Sequence, residues 1–222
     1  MMARLNLDRY RRQWPRVGAV LGMAAGGATA LAARKMTPPQ VLSAANLIAL
    51  LVHQYEEYRD PGYGGTQINR VMGRVLKGGS PRNYPLNTHS AMCINTAIAY
   101  PIYMAPVLFP EKKWLGLGPV YFGMSQAGLH GILPKVVLGE WYGPGFLSSA
   151  LLPVPIGVSY IRALRRAGPV TGSDYRKGLG YAAVIVVFGL AAPNVLMRKK
   201  DSPYAFTDAQ MGPALADEDP HA

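Results

Sequence analysis

Long uncharged apolar stretches alternate with short bursts of charge along this chain. A transmembrane helix needs roughly 20 mostly apolar residues. Five stretches approach or reach that length, at residues 41–57, 88–109, 114–137, 144–164 and 178–197. A sixth, at residues 17–33, is shorter, rich in Gly and Ala, and flanked by Arg12, Arg16, Arg34 and Lys35. A soluble helix carries a polar face at a period of 3.6 residues. The run from Tyr181 to Ala192 has none. The pattern predicts an all-α, polytopic transmembrane helix bundle of six spans, or five if the first does not cross. Its parts are a basic N-terminus with a marginal first span (1–40), a membrane core of four helices (41–165), a final span (166–200) and a flexible acidic tail (201–222) that includes His221.

Composition agrees with that pattern. Half of the 222 residues are hydrophobic and only 16% are charged, which excludes a disordered chain. One cysteine excludes an internal disulfide framework. The net charge of +11 is explained by the bias of Lys and Arg toward cytoplasmic loops, and no nucleic-acid-binding motif accompanies it. With six spans, most of the basic residues fall on the side of both termini, which places the C-terminus in the cytoplasm of an inner-membrane protein. Anionic lipid headgroups are the partners expected of the loop cations. Residues 11–32 also resemble a secretory signal ending in Ala30-Leu31-Ala32. The retained-helix reading is preferred, because Gly18, Gly22 and Gly26 recur at the spacing that lets helices associate closely in lipid.

Ionisable groups inside a membrane are costly and mark function. His53, His89 and His130 all lie in or beside the spans. His53 and Glu57 are i,i+4 on the second span and His53 and Glu56 are i,i+3, so both carboxylates share the imidazole's side. Asn46 extends the polar stripe into the membrane. Tracing the spans puts His53, Glu56, Glu57, His89, His130 and Glu140 at one membrane face, whichever way the chain is oriented. Gln126 and His130 are i,i+4, and so are His89 and Cys93. The loop between spans two and three, rich in Gly and basic residues, lacks the spacing of a phosphate-binding motif and reads as a connection.

Three of these motifs carry a resemblance. His53-Gln-Tyr-Glu56-Glu57, Gln126-Ala-Gly-Leu-His130 and Tyr142-Gly-Pro-Gly145 occur in that order, over roughly residues 45–165. The chain resembles the HXXEE family of integral membrane proteins, with Gln126 where the family commonly has Asn. The resemblance implies a site and leaves the reaction open.

His53, His130 and one of Glu56 or Glu57, with Glu57 favoured by its i,i+4 spacing, form the pattern of a catalytic zinc site, two His and a carboxylate with an open position. The same set suits Fe(II). The His-rich boxes of di-iron membrane hydroxylases are absent, so zinc and hydrolysis rank ahead of iron and oxygenation. The other of Glu56 and Glu57 is the expected general base, and His89 an additional ligand or acid. Asn46, Gln126 and Tyr142 are the expected contacts to a lipid or amphiphilic substrate. A non-catalytic membrane subunit and a proton-coupled carrier are the alternatives.

Overall fold

The computed structural model describes residues 2–218, with side chains described from 7 to 216. His221 and Asp219 lie outside the described residues. Among the described residues there is no strand. Helices occupy all six expected stretches: α1 (Met2–Ala32), α2 (Pro38–Tyr58), α4 (Thr88–Leu108), α5 (Lys113–Leu138), α6 (Phe146–Ala167) and α7 (Gly172–Met197). Two more were not expected, α3 (Gly64–Leu76) and α8 (Ala214–Glu218).

Local chemistry sets the boundaries. Thr37 caps α2 by accepting from Gln40 N, and Pro38 opens the helix where its missing N–H costs nothing. Asn87 and Ser90 form a capping box at the start of α4, and Thr171 and Asp174 form one at α7. Pro153 and Pro155 fall inside α6, where the helix bends after Leu152. α4 and α7 each contain a π-helical stretch, Cys93–Ile98 and Ile185–Ala191. Pro101 and Pro193 lie just beyond these stretches and remove amides that would continue the regular ladder. Asn side chains support the loosened backbone, with Asn95 donating to Ala91 O and Asn194 to Leu190 O.

Among the described residues, four helical stretches are long and apolar enough to cross a membrane: Leu7–Lys35 and the helices α4, α6 and α7. α2 and α5 are long enough but less apolar, because they carry the polar residues of the site. α2 lies at the centre, flanked by α1, α4 and α6 and touched by α3 and α5. Gly18 and Gly22 face Leu51 of α2 within the same chain, while nothing lies near Gly26.

The chain between α2 and α4 is more ordered than its glycines suggest. Ile68, Val71 and Met72 of α3 face inward, whereas Val75 and Leu76 are exposed beside Arg74 and Lys77. The segment after residue 200 also departs from the flexible tail expected of its polar composition. Phe206, Met211 and Ala214 are buried, and Thr66 Oγ1 donates to Gln210 O at 2.8 Å. A few apolar anchors suffice to hold a polar strap against α3.

Candidate metal centre

His53 and Glu57 sit one turn apart on α2, and His53 Nε2 lies 3.4 Å from Glu57 Oε2. His130 arrives from α5, its ring 4.7 Å from that of His53 and nearly perpendicular to it. One ligand atom from each of the three residues lies within 4.8 Å of the other two, so the group could hold a metal ion. Two donors about 2.1 Å from one tetrahedral ion stand roughly 3.4 Å apart. The His53–Glu57 pair already has that separation.

The turn before α6 orients both imidazoles. His53 Nδ1 donates to Gly145 O at 3.1 Å, and His130 Nδ1 donates to Pro144 O at 3.1 Å. A carbonyl only accepts, so each Nδ1 carries the hydrogen and each Nε2 keeps its lone pair. Metal-bound imidazoles are held by outer contacts of this kind. Ser148 Oγ lies 3.2 Å from the same His53 nitrogen.

Two glycines make room. Gly145 has φ +90°, and a Cβ there would stand 2.7 Å from His53 Cε1 and 3.1 Å from His130 Cε1. A Cβ on Gly64, at the start of α3, would stand 2.2 Å from Glu57 Cγ. The cluster is therefore closed on one side by backbone that carries no side chain.

Glu56 points elsewhere. Its carboxylate accepts from Ser148 N at 2.8 Å, Leu147 N at 3.3 Å and the Tyr142 hydroxyl at 3.2 Å. It thus sits on the amide-rich, electropositive end of α6. Burial first, then the Glu56 carboxylate, raises the Tyr142 hydroxyl above its ordinary value and keeps it a donor. Glu140 is held by Arg70 and by Gln67 Nε2. His89 stands apart from the cluster, stacked on Tyr204, with its Nε2 3.7 Å from Cys93 Sγ.

The cluster faces a cavity of about 470 Å³. Its walls are overwhelmingly apolar, and Asn46, Gln126 and Asn95 are among the few polar residues on them. Both π-helical stretches line it, through Ile94 and Ile98 on α4 and Ile185 and Gly189 on α7. Gln54 Nε2 donates to Asn95 O at 2.9 Å, which ties α2 to the loosened turn of α4. Asn46 lies seven residues from His53, about 10 Å deeper along α2 at 1.5 Å per residue.

A family model described as a protein of unknown function with HXXEE motif matches residues 44–160, more than half of the chain. The chain belongs to the HXXEE family. All three members of the HXXEE-family cluster, His53, Glu57 and His130, fall inside the matched stretch, as do both glycines that admit them. No curated protein and no solved structure matches the chain.

Several contributors to the site were not singled out from sequence: Gly64, Ser148, and the carbonyls of Pro144 and Gly145. The signal for the last two was present in Tyr142-Gly-Pro-Gly145, a stretch recognised only as part of the family resemblance.

Proposed function

We propose that this protein is a six-span membrane hydrolase whose His53, Glu57 and His130 hold a divalent metal, zinc ahead of iron. The observation that carries the reading is the pair of Nδ1 donations to consecutive carbonyls, Pro144 and Gly145, which leaves two Nε2 lone pairs beside a carboxylate. His53, Glu57 and His130 would hold a zinc ion, which would supply a bound water of lowered pKa, toward about 7, and Lewis-acid polarisation of the bond under attack. α2 and α5 cross within the shell of the four more apolar stretches, and the basic bias puts both termini in the cytoplasm.

The chain's residues divide the work. Glu57 is the third ligand. Glu56 is a positioning residue: it anchors the first turn of α6, which carries the two orienting carbonyls. The apolar cavity takes the hydrocarbon part of a lipid or amphiphile and keeps bulk water from it. Asn46 and Gln126 offer it hydrogen bonds from the wall.

One observation favours a second reading. The 3.4 Å contact between His53 and Glu57 is also a pair that fixes helix packing without a metal. Hydrolysis of p-nitrophenyl octanoate, compared with the acetate ester, separates the two readings. Cleavage of the octanoate that disappears on chelation, returns with zinc and is missing in His130→Ala supports the enzyme. Turnover indifferent to chelation and to His130→Ala leaves the packing network.

A further inference from the structure

A second hollow, of about 430 Å³, opens near the C-terminal end of α2, with Tyr58 bordering both it and the first cavity. Residues 11–16 of α1, the end of α2, the start of α4 and the strap after α7 form its walls. Unlike the cavity at the His/Glu cluster, it is lined by charge. Arg11, Arg12, Arg16 and Arg59 all border it, and among the described residues Asp60 is the only carboxylate that does. Trp14 and Tyr58, in ring contact at 5.1 Å, lie on the side toward the core.

Two of the arginines are held in place. The side chain of Arg11 is only 12% exposed; it donates to Thr88 Oγ1 at 2.6 Å and lies 4.9 Å over the Tyr204 ring. Asp8 meets it at 3.3 Å. Arg59 lies over the Tyr55 ring at 5.5 Å. The other two are less compensated. Arg16 donates to Gln13 of its own helix. Arg12 has no hydrogen-bond or ion-pair partner among the described residues. Arg12 and Arg16 are i,i+4, a spacing at which like charges repel. Concentrating guanidinium groups around one walled hollow is unfavourable unless an anion enters it.

We infer that this hollow binds a phosphate-bearing anion, held by the guanidinium groups of Arg12 and Arg59 with Arg11 and Arg16 beside them. Guanidinium forks match phosphate oxygens in pairs, and several forks on one group require an anion with several oxygens. The volume, about a dozen waters at ~30 Å³ each, admits a phosphate ester with its alcohol. The position suits a headgroup, because Arg11 to Arg16 occupy the outer turns of the stretch Leu7–Lys35. Three of the four arginines and the strap lie outside residues 44–160, so the hollow is built largely by parts of the chain beyond the family match.

The full chain, in a neutral maltoside detergent, is titrated with inorganic phosphate and separately with dioctanoyl phosphatidylglycerol, with dioctanoylglycerol as the phosphate-free lipid. The readout is the concentration that half-saturates the rise in unfolding temperature. The doubly substituted Arg12→Gln/Arg59→Gln protein is expected to need at least about tenfold more ligand. Arg34→Gln/Lys35→Gln, which removes the same charge from the other end of α1, is expected to behave as wild type. Should the first pair fold poorly, Arg12→Lys/Arg59→Lys keeps the charge, loses the forks, and is expected to weaken binding by a smaller factor. Saturation by the phosphatidylglycerol alone identifies a lipid headgroup; saturation by inorganic phosphate as well identifies a free phosphate ligand. No saturable response to either compound, or equal weakening in the Arg12/Arg59 and Arg34/Lys35 pairs, overturns the assignment.

Discussion

Along α7 only 17% of the most apolar window is buried, and Phe188, Val187 and Leu196 face outward. Along α2 more than half of the residues are buried, and Asn46, His53, Gln54 and Glu57 are among them. The two helices answer to different surroundings. A helix facing lipid must present apolar side chains over most of its circumference. A helix enclosed by others need not, and neighbours accept from its polar N–H groups, as Gly145 O does from His53 Nδ1 and Asn95 O from Gln54 Nε2. Mean hydropathy therefore reports contact with lipid more closely than it reports crossing. α2 and α5 fall short of the apolar measure because they are the helices that carry the site.

That contrast can be broken most severely at Gly145. Ala there meets both imidazoles and a left-handed backbone, which costs about 1–3 kcal/mol before the clash is counted. Gly145→Ala is expected to lower the unfolding temperature by several degrees and to weaken metal retention by roughly 10- to 100-fold. Gly64→Ala presses only on Glu57, from one side. Metal retention is expected to fall by roughly tenfold, with a smaller loss of stability, as read by melting and by competition with a chelator. Glu56→Gln keeps an acceptor at the start of α6 but removes the charge, a loss of about 1 kcal/mol. The metal is expected to remain bound, which distinguishes Glu56 from Glu57. At the far end of the scale, Phe188→Ala on the outward face of α7 is expected to change stability by about 0.5 kcal/mol or less and metal content not at all.

The bundle was legible because long apolar runs leave few alternatives to helix in a membrane. The His/Glu cluster was legible because i,i+4 spacing on α2 and the alternation of spans bring His53, Glu57 and His130 to one face. α3 was not read, although Ile68, Val71, Met72 and Val75 keep helical spacing, because Gly62, Gly64, Gly65, Gly73, Gly78 and Gly79 surround them. The separate placements of Glu56 and Glu57 were also hidden. Adjacent residues on a helix diverge by about 100°, so only one reaches the cluster, and which one depends on where α6 begins. The strap after residue 200 escaped notice because Phe206 and Met211 are single apolar residues in polar surroundings, and a period cannot be read from two points.

The most direct test of the site is the metal content of the intact protein, purified without chelator, as wild type and as Gly145→Ala. The expected result is about one zinc per wild-type chain, with Gly145→Ala still helical by circular dichroism but depleted of metal. Folded wild type devoid of divalent metal, or Gly145→Ala holding zinc as tightly as wild type, would contradict a metal centre oriented by the Pro144 and Gly145 carbonyls.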